Sequence, residues 1–172
     1  MSCKRGCAAC CHSQVSITSD EAELLASIII EGHDIDLKRL YIQSEAQNDD
    51  VKWFKTPYDI RRCVFLNNKN ECSIYENRPA VCRTNMVMSD PSDCATMDGK
   101  QRPIRLINTD KANMAIMAGY TVARTGGTLP YLLWKTLHRF KGPRSPQGES
   151  AMGEVRHRLK QAQNTVSKIF SM

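Results

Sequence analysis

The sequence predicts a mainly α fold with one small β-hairpin, closed into a compact helical domain. Three observations carry this. Apolar residues recur three and four apart through several segments of the 172-residue chain, the spacing that lines one face of a helix. Start and stop signals bracket those segments, with Thr, Asp or Pro before them and Gly after. A single pair of short β-prone runs, within residues 62–75, flanks a turn. The length suits one domain, or one domain with an appendage. The division expected is residues 1–104 for a cysteine-rich unit and 105–172 for a helical extension packed on it.

The elements follow in order. Val15 and Ile17 alternate with polar residues in a short extended run. Thr18-Ser-Asp-Glu21 reads as a capping box, so a helix should run over about 20–31. Leu24, Leu25, Ile28 and Ile29 would be its apolar face, and Gly32 its stop. Asp34 or Asp36 caps a second helix over about 37–46, with Leu37, Leu40 and Tyr41 at helical spacing. Asn48-Asp-Asp50 breaks that pattern. Trp53 and Phe54 read as core anchors near a turn at Pro57, in preference to an aromatic shelf for a ligand. Arg62-Cys-Val-Phe-Leu66 and Glu71-Cys-Ser-Ile-Tyr75 form the hairpin, around Asn67-Asn-Lys-Asn70.

Tyr75 to Arg83 reads as a short helix, with Pro79 suited to a first turn. The run 88–98 reads as loop. A helix should start at Thr109 or Asp110 and end before Gly126-Gly127. Pro130 opens another, with Leu133, Leu137 and Phe140 on one face and Gly142 as its stop. Residues 143–148 read as loop. The last helix, about 150–170, carries Met152, Val155, Leu159, Ala162, Val166 and Ile169 alternately three and four apart. Such a seam docks on its own domain or on a protein partner.

Composition bounds the function. Hydrophobic residues make 41% of the chain and aromatics 6%, enough for a modest core that a metal centre would reinforce. The net charge of +6 and pI near 8.9 suit a solvated basic surface. They leave room for a nucleic-acid partner, but the basic residues are scattered rather than striped. No run reaches the roughly 18 apolar residues of a membrane helix. No secretory leader is read at the N-terminus. The expectation is therefore a cytoplasmic protein that does not enter a membrane, where cysteines serve as ligands rather than disulfides.

Those cysteines carry the chemistry. Cys3, Cys7, Cys10 and Cys11 crowd one short stretch, and Cys63, Cys72, Cys82 and Cys94 follow in the middle third. Packing alone does not call for four thiols so close together. A thiolate is a soft, charged ligand, and zinc and iron–sulfur clusters each take four. Gly6, Ala8 and Ala9 permit a tight wrap. All eight cysteines are candidate ligands, expected to converge on a centre around which the domain is built. They suffice for two four-sulfur sites or for one site with spares. Arg62, Arg78 and Arg83 flank the ligands, and their charge would offset that of a thiolate cluster. His12 could replace one thiolate, but its place next to Cys11 favours a flanking residue. The Cys3-x3-Cys7-x2-Cys10 spacing equals that of radical S-adenosylmethionine enzymes. Those resemble large α/β barrels of roughly 200 residues or more, which this chain does not suit.

Cys7-x2-Cys10-Cys11, Cys63-Val-Phe-Leu66 and Cys72-Ser-Ile-Tyr75-Glu-Asn-Arg78-Pro79-Ala-Val-Cys82-Arg83 together resemble the YkgJ-type cysteine-cluster family. These small bacterial proteins are named for a CxxCxxCC motif and described as zinc- or iron-chelating. The resemblance covers about residues 3–94 and includes the capping box and helix after the first cluster. It implies a metal centre, a 4Fe-4S cluster first and zinc second. The family's first gap is usually two residues, whereas three separate Cys3 from Cys7 here. Cys94 lies outside the firm part of the match. One branch of the family resembles flagellin lysine N-methylases, which makes lysine methylation the alternative activity. No Gly-rich loop after a strand supports that branch here. A third reading is a zinc-stabilised module for nucleic acid or a protein partner. No catalytic residue is assigned.

Overall fold

The computed structural model describes residues 3, 6–98, 100, 102–123, 125–139 and 146–170. The elements are β1 (Ser16–Thr18), α1 (Ser19–Ile30), α2 (Leu37–Ser44), α3 (Asp50–Lys55), α4 (Tyr58–Arg61), α5 (Ala80–Thr84), α6 (Asp110–Val122), β2 (Gly126–Thr128), α7 (Leu129–Arg139) and α8 (Pro146–Phe170). Short 3-10 turns lie at Ala9–His12, Tyr75–Asn77 and Pro91–Cys94. The protein is thus mainly helical, with a small antiparallel β element.

Local chemistry explains the start and end of α1. The Thr18 hydroxyl accepts from Glu21 N at 3.3 Å, and the Glu21 carboxylate accepts from Thr18 N at 2.9 Å. That is a complete capping box. At the other end, Gly32 N donates to the Ile29 carbonyl and His33 N to that of Ile28, both at 3.1 Å. This pair of bonds is a Schellman close. It needs the left-handed backbone that Gly32 adopts at φ +110°. The buried face of α1 is Ala22, Leu25, Ala26 and Ile29, rotated from the expected one. Leu24 is 47% exposed.

Asp36 caps α2 through Arg39 N, while Asp34 instead meets Arg158 of α8 at 2.5 Å. Asp49 caps α3, accepting from Lys52 N, so the break at 48–50 starts a new helix. Trp53 is buried on that helix. The expected helix over 75–83 is split. Arg78 is extended (φ −60°, ψ 141°), because the ring of Pro79 disfavours helical backbone in the residue before it. The turn ends there and α5 begins.

The expected hairpin at 62–75 narrows to one antiparallel bridge between Leu66 and Cys72, around a turn in which Asn70 takes φ 58°. The named strands lie elsewhere. Ser16, Ile17 and Thr18 pair with Thr128, Gly127 and Gly126 in an antiparallel ladder. The expected loop at 143–148 is overtaken from Pro146, where α8 starts; a proline has no N–H to leave unpaired in a first turn. Phe140, expected on the face of α7, Gly142, expected as its stop, and residues 143–145 lie outside the described residues.

Helix α1 packs on α7 and α8, and α2 packs on both as well. The core joins Ile17, Leu25, Ile29, Leu40 and Phe65 to Leu133, Leu137, Met152 and Leu159. The α8 seam is spent within the chain, since Met152, Val155, Leu159, Ala162 and Val166 are all buried. Only Ile169, at 65% exposed, lies beyond it. Among the described residues no helix is long and apolar enough to cross a membrane.

Candidate metal centre

Four regions bring in the eight thiols. Cys3 and Cys7 lie in the N-terminal segment, and Cys10 and Cys11 in the turn Ala9–His12. Cys63 follows α4, and Cys72 sits on the bridge to Leu66. Cys82 is on α5, and Cys94 ends the turn Pro91–Cys94. All eight are unpaired and half-buried.

The helical core sets these segments in place through buried polar bonds. Gln43 of α2 is 2% exposed. Its side-chain amide donates to the carbonyls of Ile60 at 2.6 Å and Arg62 at 2.8 Å. The Trp53 indole N–H donates to the His12 carbonyl at 3.1 Å. Between these two anchors, Cys63 N donates to the Cys11 carbonyl at 2.8 Å. The turns that carry Cys10 and Cys94 pack on each other. Val87 N donates to Cys3 Sγ at 3.2 Å, the kind of backbone bond that steadies a sulfur ligand.

Electrostatics shows the thiols acting on one another. Cys10 is pulled down to about 6, first by the Cys11 thiol donating to it, then by the Asn85 side chain, its own backbone and the Arg78 charge, against its burial. The same bond pushes Cys11 up, with burial and the charges of Cys10, Cys63 and Cys82 adding. Burial first, then Cys72 and Cys10, raises Cys63 to about 11. Burial first, then Cys63, Cys10 and Cys72, raises Cys82 to about 12. Cys94 rises to about 11 through burial, then Cys10, Cys3 and Cys7. Burial also raises Cys72.

These influences trace one connected group with Cys10 in the middle. Cys3 and Cys7 join it through Cys94, and Cys72 joins through Cys63 and Cys82. The N-terminal and middle cysteines therefore share one region. Among the described residues, however, no three Cys, His, Asp or Glu side chains are arranged around a point that could hold one ion. The thiols are gathered, not closed.

The donor chemistry still suits a soft metal. Burial and mutual repulsion hold most of these thiols protonated, and a bound cation reverses that preference by stabilising thiolate directly.

The flanking residues sort themselves by contact. Arg78 is the expected arginine whose charge reaches Cys10, Cys72 and Cys82. It lies over the Tyr75 ring at 3.7 Å and donates through Nε to the Tyr75 carbonyl at 3.1 Å. Arg83 braces that turn, donating to the carbonyls of Arg78 and Glu76. Arg62 bonds the Asn67 carbonyl and Asn70 Oδ1, across the turn beyond Cys63. His12 is buried, with its Nδ1 3.2 Å from the Ala8 carbonyl and its ring stacked on Tyr58 at 4.1 Å. It supports the turn from behind.

Sequence reasoning missed Asn85, Arg39 and Arg61. Asn85 bonds Cys10, and the Arg39 charge reaches Cys63. Arg61 is 2% exposed and donates to Thr96 Oγ1 at 3.2 Å and the Thr96 carbonyl at 2.9 Å, fixing the segment just after Cys94. None of the three sits in a spacing pattern with its thiol; α2 is far from Cys63 in sequence and near it only in the fold.

No curated protein and no solved structure matches the chain. A family model named CxxCxxCC and described as "Putative zinc- or iron-chelating domain" matches residues 2–103. That span takes in all eight cysteines, the capping box and the split turn at Arg78–Pro79, and the chain belongs to this CxxCxxCC family.

Proposed function

We infer that this is a cytoplasmic metal-centre protein whose cysteines hold an iron–sulfur cluster, 4Fe-4S first, or zinc. The observation that carries this reading is the connected group of eight free thiols around Cys10. Cys3, Cys7, Cys10, Cys11, Cys63, Cys72, Cys82 and Cys94 are the ligand set from which the centre draws. Arg78 offsets thiolate charge, and Val87 N–H and Asn85 bond to sulfur. The metal-binding unit is residues 1–104, with 105–172 as an extension packed on it.

When bound, such a centre supplies either a cross-link between chain segments or a site for one-electron transfer. The thiol-bearing segments are mostly short turns with few backbone bonds among themselves, and a shared metal would join them. Redox and metal-handling roles use the same ligands.

Elemental analysis with an optical spectrum, on anaerobically purified protein, tests the reading. Iron with acid-labile sulfide and a broad visible absorption is the expected result. Stoichiometric zinc in a colourless sample selects the structural form. A protein free of both metals, folded and with thiols titrating as free, overturns it.

A further inference from the structure

On the outer side of the Arg78 turn lies a cleft of about 200 Å³. Its lining includes Glu21, Leu24, Arg78, Pro79, Ala80 and Arg83. One wall is apolar, from α1 and the Pro79–Ala80 corner, and the other carries two guanidinium groups. The Glu21 carboxylate is committed elsewhere. It accepts from Ala80 N at 2.7 Å while its second oxygen accepts from Thr18 N.

Arg78 is set up as a receptor. Its Nε is used on the Tyr75 carbonyl and its plane is held over the Tyr75 ring. Among the described residues its two terminal nitrogens meet no acceptor, and neither Arg78 nor Arg83 meets a carboxylate. A guanidinium fixed in one plane with its outer edge free is the geometry that grips a carboxylate through two parallel bonds. Leu24, an exposed leucine on an otherwise amphipathic helix, faces the same cleft. The two walls ask for different things, one an anion and the other a short hydrocarbon.

We propose that this cleft binds a small carboxylic acid anion bearing a short aliphatic chain, with the carboxylate on Arg78 and Arg83 and the chain against Leu24 and Pro79. The charge of Arg78 also reaches Cys10, Cys72 and Cys82, so the bound anion lies next to the thiol group. The assignment of the cleft stands whether those thiols hold metal or not.

Calorimetric titration of the full chain, as purified, with sodium butanoate tests this, with butylammonium and inorganic phosphate as the comparison probes. Saturable binding of butanoate, none of butylammonium and weaker binding of phosphate are expected. Leu24→Glu puts a negative charge on the apolar wall at an exposed position and should weaken butanoate binding by about tenfold or more, with metal content unchanged. Arg83→Gln should weaken it in the same direction. Absence of saturable butanoate binding overturns the proposal, and so does phosphate binding as tightly as butanoate. Unchanged affinity in both variants overturns it too. Elemental analysis of the same samples reads the metal assignment separately.

Discussion

Cys10 is the cysteine whose influence reaches most of the others. Its thiol touches Cys11 and Asn85, and its charge reaches Cys63, Cys82 and Cys94. Cys10→Ser is therefore expected to strip most of the metal, and Cys72→Ser to do the same from the far end of the group. Both should lower the unfolding midpoint, because structural metal binding contributes folding free energy. A stable, metal-replete Cys72→Ser protein would show that the two halves of the cysteine set do not share a centre. His12 makes a second prediction. Burial lowers its pKa, against the opposing hydrogen bonds to the Ala8 and Ala9 backbone. The unfolded chain, near about 6.5, then takes up a proton before the folded one does. Stability from this group is complete above about 6.5 and declines as pH falls below it. Ring titration by NMR should place the His12 midpoint below about 6.5, and a midpoint above that value refutes it. The cysteines themselves were legible because their spacing is improbable for packing. Asn85 and Arg61 were not, since nothing local distinguishes an asparagine that meets a thiol from one that meets water.

Elements were legible where their own residues decide them. The start and stop of α1 were readable from Thr18, Glu21 and Gly32, because capping is chemistry within five residues. Gly32→Ala should cost about 1 kcal/mol, since a Cβ resists left-handed backbone. Denaturant titration checks this, with metal content expected to stay constant; an unchanged midpoint would mean the Schellman close contributes nothing. The face of α1 was less legible. Leu24 and Leu25 are equally apolar, and only the position of α7 and α8 selects Leu25 for the interior. Strand β2 is the extreme case. Gly126-Gly127-Thr128 has little strand preference of its own, and Val15–Thr18 imposes the conformation on it. Leu129 N donates to the Val15 carbonyl and Ser19 N to that of Thr125, extending the ladder at both ends. A Cβ on Gly126 would stand 3.2 Å from the Tyr120 ring, so the close approach also favours glycine there.

At the level of the whole molecule, the cysteine-bearing part and the C-terminal helices share one core. Helix α8 brings Met152, Val155, Leu159 and Ala162 to it. Leu159→Ala should cost about 3 kcal/mol, the usual loss for a fully buried leucine including its cavity, measured by chemical denaturation. A loss under about 1 kcal/mol would mean that α8 is loosely docked. The seam was legible as a seam from its spacing. Its destination was not, because a helix stripe looks alike whether it meets its own chain or another.

The pairing of β1 with β2 has a consequence in time. Thr18 waits for Gly126, more than a hundred residues behind it on the ribosome. At synthesis rates of roughly 5–20 residues per second, the N-terminal thiols emerge several seconds before the strand that pins their segment exists. Closing so long a loop also slows folding. The N-terminal thiols thus spend that interval on a segment whose strand has no partner, open to oxidants that the folded chain would hold at a distance.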